Sequence, residues 1–441
     1  MYNPLSYVSS CLFVLIAHAA MLANVFINGN YNSIADPAII AGAVLLLDVA
    51  YFTALLFFKQ TSYTIDFLLV LVLNMSVIFQ SCFGQVKFDS DAIKHYITAV
   101  TALIACRVGF IACRNYKSLQ NKRKFIYIAI GICIVLILTL TGSRSMWIQL
   151  GPISLQPSEF IKPLFILACA TSVAEQQKKH KLLLFNVVYE NIALFGLMAV
   201  ICLLQWWCAD LGSLPTFMAI YIAGFLLRIC YPKAKLSKKT YITAAAALLV
   251  IAVIAFKFAP AYVQERLHAD IWSDTNGSGY QQSQALIAIA DGGWTGKGPG
   301  NGFLCNVAAH ENDIVFATVC EEWGLLYALM MIFVILIMLA VPLINPPRSY
   351  YHATMSAGVC AAFTVQMALN IFGSCNMIPF TGVTIPFISA GGSSMMVSGF
   401  MIGMLAAAQS PVLDNTGGQP AAAPRPPANR PNKRPVRRKA V

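Results

Sequence analysis

The sequence predicts an all-α polytopic membrane protein with about twelve transmembrane helices, and three observations predict it. Apolar residues make up 58% of the 441 and charged residues only 11%, against roughly 25% charged in soluble globular chains. Mean hydropathy is +0.68. The apolar residues also gather into runs near the ~20 residues that cross a bilayer. These features exclude a soluble enzyme, a disordered chain and a disulfide scaffold.

The runs fall at about 6–27, 38–58, 64–84, 93–113, 125–141, 159–176, 184–204, 211–228, 241–259, 314–343, 352–372 and 391–409. No Lys or Arg precedes Lys59. The first run therefore lacks the basic flank of a cleavable signal and is expected to be a retained span. The 314–343 run exceeds a bilayer crossing, which predicts tilt or fraying. Thirteen cysteines sit mostly inside apolar runs, as at Cys11, Cys106, Cys133, Cys169, Cys202 and Cys360, without paired spacing. They are expected to be small buried hydrophobes.

Net charge is +12, and its placement decides its meaning. Alternate loops hold Lys59, then Arg114 to Lys124, Lys178 to Lys181, Lys233 to Lys239 and Arg348. Seven further basic residues lie among the last 17, against Asp414 alone beyond Glu322. Positive charge marks the cytoplasmic side, so both termini are expected inside and no nucleic-acid partner is implied. The Pro/Ala-rich tail, 410–441, cannot bury a core and is expected to be disordered and basic.

The opposite face is acidic and aromatic. It holds thirteen of the 18 acids and all six tryptophans: Trp147, Trp206, Trp207, Trp272, Trp294 and Trp323. An aromatic belt would use both interfaces. One-sided tryptophan fits either an outer site that stacks on sugar rings or a lopsided belt. Two outer stretches, GGWTGKGPGNG at 292–302 and PFISAGGSS at 386–394, are dense in glycine and proline. They are expected to be re-entrant backbone buried in protein.

Four outer segments stand together: GSRSMWIQLGPISLQPSEFIK (142–162), QWWCADLGS (205–213), DIWSDTNGSGYQQSQALIAIADGGWTGKGPGNG (270–302) with ENDIVFATVCEEWG (311–324), and NIFGSCNMIPFTGVTIPFISAGGSS (370–394). In this order they resemble the SEDS family, the FtsW/RodA/SpoVE membrane proteins of bacterial cell-wall synthesis. The resemblance covers about residues 64–409. The chain departs from the family pattern around Arg144, Asp210, Ala308-Ala309 and Ala390.

The resemblance implies a ten-helix core at 64–409, preceded here by two additional helices at 1–63, with a large extracellular loop. It implies a peptidoglycan glycosyltransferase that polymerises lipid II on the outer face of the bacterial cytoplasmic membrane, in division or shape maintenance. The implied partners are a class B penicillin-binding protein, the cross-linking transpeptidase, and other divisome or elongation-complex membrane proteins. The family's essential carboxylate falls on Asp274, ahead of Gly279-Tyr280-Gln281. Carried over as substrate-binding are Arg144, Trp147, Gln156, Glu159, Lys162, Asp210, Tyr280, Gln281, Lys297 and Ser393.

The chemistry gives these residues roles. A sugar hydroxyl is a poor nucleophile and needs a carboxylate to take its proton; Asp274 is the candidate. A departing pyrophosphate needs cations; Arg144, Lys162 and Lys297 are on the correct side. A divalent cation, Mg²⁺ or Mn²⁺, is expected, because Mg²⁺ commonly joins one or two carboxylates to phosphate oxygens. Asp274 is also the candidate metal ligand, and no organic cofactor is implied. The plainer readings are that Glu159 and Lys162 form a local i,i+3 ion pair and that Asp313, Glu321 and Glu322 complement a helix dipole. A lipid-linked precursor flippase is the alternative function and a non-catalytic scaffold a third. One-sided polarity disfavours the flippase, and the Asp274 motif disfavours the scaffold.

Overall fold

Eleven of the twelve apolar runs are helices in the computed structural model, which describes residues 4–58, 60, 62–140, 147–150, 153–175, 179–182, 185–208, 210, 212–230, 271–273, 278–347 and 349–410. The run at 241–259, the tail from 411, Arg144 and Asp274 lie outside these residues. The helices are α1 (Pro4–Asn28), α2 (Ala35–Leu55), α3 (Thr64–Gln80), α4 (Ser90–Cys113), α5 (Tyr116–Asn121), α6 (Arg123–Leu140) and α7 (Pro157–Thr171). They continue with α8 (Tyr189–Trp207), α9 (Ser213–Cys230), α10 (Ser278–Gly292), α11 (Val315–Ile344), α12 (Tyr350–Ser374) and α13 (Gly392–Gln409).

Six of these, α1, α2, α4, α8, α11 and α12, contain stretches long and apolar enough to cross a membrane. The chain is thus a multi-pass membrane protein. Among the described residues the other runs yield helices that are shorter or less apolar, and the run at 241–259 lies outside them. α7 has only 15 residues, about 22 Å at 1.5 Å per residue, short of the ~30 Å hydrocarbon core.

Two antiparallel hairpins interrupt the helical pattern. β1 (Ile148–Leu150) pairs with β2 (Ile153–Leu155), and β3 (Lys179–Leu182) with β4 (Phe185–Val188). The first lies inside the IQLGPISL stretch, where Gly151-Pro152 punctuates two short β-prone runs.

The long 314–343 run contains a break. Gly324 has φ 84° and ψ 164° within α11, a conformation open to glycine, and it breaks the helix. The freed donors are satisfied by the glycine-rich loop: Leu325 N–H donates to Gly293 O at 2.9 Å and Leu326 N–H to Trp294 O at 3.2 Å. Just before the break, Glu322 accepts from Gly84 N at 2.6 Å and Gly300 N at 2.8 Å. Glu321 accepts from Phe303 N and Leu304 N at 2.9 and 2.8 Å. These buried acids hold loop backbone, a role distinct from the expected dipole partnership.

The tightest helix pair is α4 with α13. Gly399 and Gly403 face the carbonyls of Ala102 and Cys106 so closely that a Cβ would strike them. Small residues are what allow such approach where lipid supplies no hydrophobic drive between helices. α12 packs on α9 and α7. Residues 385–389 are irregular yet buried, with Ile388 at 0% and Phe387 at 1% exposure, matching the expectation of protein-buried backbone around 386–394.

α1 and α2 are tied into the helices that follow by buried polar contacts. His18 Nδ1 lies 2.8 Å from Asp48 Oδ2, and Asn74 Nδ2 donates to Asp48 Oδ1 at 2.9 Å. A second set joins Asp66 to Arg107 and to Tyr51. Ionisable groups at such depth are stable only when paired. The α1–α2 turn is also fixed: Asn30 N–H donates to Pro299 O at 2.9 Å, and Val86 N–H to Asn30 O at 2.9 Å.

Candidate active site

The first motif folds as a strand pair leading into α7. Gln156 is the N-cap, Pro157 occupies the first turn, and its missing N–H costs nothing there. Glu159 and Lys162 follow one turn apart, so their side chains meet: Lys162 Nζ lies 2.6 Å from Glu159 Oε1, and both are buried. The plainer reading of a local ion pair is therefore correct as geometry. Its burial sets it apart from a surface pair, because removing one partner would strand the other charge.

The second motif supplies Asp210, in the turn before α9. Its carboxylate accepts from Ser213 N at 3.2 Å and Ser213 Oγ at 2.8 Å, capping the helix. Gln156 Nε2 donates to Asp210 Oδ2 at 3.3 Å. The N-termini of α7 and α9 are thereby joined. Burial pushes the Asp210 carboxyl up from its ordinary value, opposed by Ser213 and by the Lys162 charge, and Glu159 adds to the rise. Gln156, Glu159, Lys162 and Asp210 thus form one cluster.

Several buried polar atoms around this cluster have no partner among the described residues: Ser158 Oγ, both amide atoms of Gln205, and Ser393 Oγ. Ser393 stands in the first turn of α13, which packs on α7 and β2. Orphaned buried polar groups need an explanation, and a polar ligand at this corner would supply one.

The third and fourth motifs form the adjoining wall. Gly212 abuts Thr381 and Val383, and Gly382, at φ 66°, faces the Asp313 carboxylate. Asn370 Nδ2 donates to Asp313 O at 2.8 Å and to Val383 O at 2.7 Å. Ser389 Oγ donates to Asn312 O at 2.7 Å, and Gln282 Nε2 to Gly373 O at 2.8 Å. Burial pushes the Asp313 carboxyl up to about 6. Asn370, Gln205, Gln282 and Ser389 were not singled out from the sequence, although each lies in one of the four segments. The amide or hydroxyl identity of Asn370, Gln282 and Ser389 gave no signal of which carbonyls they would gather.

The other expected site residues that are described have partners of their own. Lys297 Nζ is 3.0 Å from Glu321 Oε1 and 3.1 Å from Asp291 Oδ2, so it stabilises the glycine loop and α11. Burial acts to lower its pKa, but hydrogen bonds and charges from Glu321 and Asp291 outweigh that and raise it. Gln281 Nε2 donates to Ala308 O at 3.0 Å. Tyr280 is half-buried against a small apolar cluster that includes Ala285 and Leu304. Trp147, Trp206, Trp207, Trp272 and Trp294 are exposed. Trp323 is fully buried, edge-on to Phe79 with ring centres 5.0 Å apart; it is a core residue and not a sugar platform.

Among the described residues no group of three or more His, Cys, Asp or Glu is placed to hold a metal ion. Glu159 and Asp210 are engaged by Lys162 and Ser213, so the described residues alone do not make up a metal site. Asp274 lies outside them.

Comparison with known proteins places this geometry. Residues 54–412 match the FtsW/RodA/SpoVE model, described as "Cell cycle protein". A probable peptidoglycan glycosyltransferase FtsW of Coxiella burnetii is 30% identical over 315 residues, covering 69% of this chain and 81% of that one. Its counterpart in Francisella salina is 29% identical over 306 residues, covering 66% and 73%. The fold is similar to a chain of a solved peptidoglycan synthase complex that coordinates polymerization and crosslinking (TM-score 0.59, 18% identity, 78% of this chain and 96% of that one). It is also similar to the rod shape determining protein RodA of Thermus thermophilus (TM-score 0.52, 17% identity, 80% and 97%). The family match spans all four motif segments, including those that build the Glu159–Lys162–Asp210 corner, and the chain belongs to the FtsW/RodA/SpoVE family.

Proposed function

We propose that this protein is a peptidoglycan glycosyltransferase that polymerises lipid II on the outer face of the bacterial cytoplasmic membrane. The observation that carries the reading is the meeting of the α7 and α9 N-termini around buried Lys162 and Glu159 and half-buried Asp210. Helix N-termini present N–H groups and the positive end of a dipole. With Lys162 they make a corner suited to the pyrophosphate of a lipid-linked sugar.

In the reaction, the 4-hydroxyl oxygen of one sugar attacks the anomeric carbon of another. The bond from that carbon to the pyrophosphate oxygen breaks, and the polyprenyl pyrophosphate leaves with the electron pair. The hydroxyl proton passes to a carboxylate, the role assigned to Asp274. Lys162 and Arg144 offset the growing charge on the leaving group. Gln156 and Asp210 hold the two helix ends in register, and the orphaned Ser158 and Ser393 hydroxyls are available to phosphate or sugar oxygens. A divalent cation is proposed to arrive with the pyrophosphate. Removing it with a chelator should suppress polymerisation, and added Mg²⁺ or Mn²⁺ should restore it.

The basic loops support a topology with both termini in the cytoplasm. The likeness to a synthase-complex chain supports a penicillin-binding protein partner, proposed here as a class B transpeptidase, within a division or elongation assembly. The decisive experiment gives purified full-length protein and a candidate partner labelled lipid II with Mg²⁺ or Mn²⁺, and resolves the products by gel. Glycan polymer is expected. Its absence with every partner and metal tried would defeat the reading.

A further inference from the structure

The helices that build the active-site corner carry a buried charge at their other ends. Arg228 stands in the last turn of α9, at the end that the basic loops mark as cytoplasmic. An arginine near a helix end usually reaches out to water with its head. Arg228 is instead 0% exposed, and its Cζ lies 5.6 Å from the centre of the Tyr221 ring, about two turns back along the helix. Its Nη1 donates to Oγ of Ser172, the C-cap of α7, at 3.3 Å. Nε and Nη2 have no partner among the described residues. These two nitrogens share one edge of the guanidinium, the edge whose parallel N–H bonds meet a carboxylate or a phosphate. The ring face and the helix C-terminus offset part of the charge but leave both of those N–H groups unmet.

Acceptors in the same state stand on the neighbouring helix. The Tyr221 ring also meets Phe195 of α8, with ring centres 5.9 Å apart. Asn191 lies one turn before Phe195 and shares its face, and Glu190 is next to it. Both are buried, at 7% and 8% exposure, and Asn191 Oδ1 and Glu190 Oε2 have no partner among the described residues. The start of α8 therefore sets unmet acceptors beside the unmet donors of α9. Buried polar groups in such number call for a ligand. The corner is also at the perimeter. α8 packs on α9 and β4, while Ile192 of α8 and Leu226 of α9 are exposed, as apolar side chains facing acyl chains are.

The ligand must bring an oxyanion to Arg228 and N–H donors to Glu190 and Asn191. It should carry no net charge, because Arg228 and Glu190 cancel. An aminoethyl phosphodiester meets all three demands, with an anionic phosphate and an ammonium that has three donors. A phosphoglycerol headgroup would leave Glu190 facing a second anion, and a trimethylammonium has no N–H to give. We propose that the Arg228–Glu190–Asn191 corner is a lipid site that takes the phosphoethanolamine headgroup of a phospholipid between the end of α9 and the start of α8. The phosphate pairs with Arg228, and the ammonium donates to Glu190 and Asn191.

The test uses full-length protein, delipidated in detergent and titrated separately with phosphatidylethanolamine, phosphatidylglycerol and phosphatidylcholine of equal chain length. Bound lipid is counted by native mass spectrometry. Half-saturation by the ethanolamine lipid is expected at least tenfold below that of the other two. Arg228→Met should raise it at least tenfold. This variant removes a buried charge that has no counter-ion, so it should melt no lower than the delipidated parent. Glu190→Gln keeps the shape and covers the case in which Arg228→Met does not fold. It should weaken the ethanolamine lipid several-fold and narrow its lead over phosphatidylglycerol. Equal half-saturation by the three lipids in the parent, or unchanged ethanolamine-lipid binding in either folded variant, would overturn the site. Displacement of the bound lipid by inorganic phosphate would overturn it too, by assigning Arg228 to a free anion.

Discussion

Asp274 is the residue on which the proposed chemistry turns. Asp274→Asn keeps the shape and removes the proton acceptor, because an amide is a poor base. Lipid II polymerisation by the purified variant should fall ~10²–10⁴-fold, with folding and partner binding unchanged, while neighbouring Asp270→Asn should be mild. Near-normal polymer from Asp274→Asn would move the role to another carboxylate, with Glu159 or Glu311 next to test. At Lys162 the prediction concerns stability as well as rate. Lys162→Met leaves the Glu159 carboxylate buried without its partner, so thermal stability in detergent should drop by about 3–5 kcal/mol. The double variant with Glu159→Gln should recover much of that loss while polymerisation stays impaired. Recovery of both would make the pair purely structural. Asp313 adds a pH dependence. Its folded-state pKa of about 6 lies above its ordinary value, so the unfolded chain releases this proton first. Stability from this group is therefore full below the ordinary carboxyl range and declines as pH rises toward about 6. Asp313→Asn should flatten the melting profile across that interval.

At the scale of elements, periodicity and apolarity made eleven helices legible, because a run that cannot meet water must satisfy its backbone internally. The same logic could not reveal that α11 is two helices. Gly324 reads as one more small residue in an apolar stretch, and only the arrival of the 293–296 backbone from elsewhere shows what it is for. The partners of Lys297 were not legible for a related reason: Glu321 and Asp291 are brought to it by the fold of the loop. The Glu159–Lys162 pair was legible because i,i+3 spacing is local. Its junction with Asp210 was not, since it depends on how α7 meets α9. The break itself is testable. Gly324→Ala places a side chain at φ 84° against the Trp294 carbonyl. It should loosen the 293–304 loop, seen as faster amide exchange at Leu325 and Leu326, while α12 and α13 keep their protection.

For the whole molecule, the basic loops predict sidedness. A cysteine placed at Lys297 should react with an impermeant reagent from outside, and one placed at Lys239 should not; the reverse pattern would put the Lys162–Asp210 corner on the wrong side. The family match begins only at residue 54, yet the two helices before and across that boundary are not an ornament. Asn74 donates to Asp48, Val86 donates to Asn30, and the loop that closes over the broken α11 is held by Asn30 at Pro299 and Gly300. In this protein the matched part takes some of its hydrogen-bond partners from the residues that precede it. A chain shortened to 54–412 would leave those donors without their partners, each worth about 1–3 kcal/mol when buried. It should melt well below the full-length protein in detergent, whereas removing 411–441 should not.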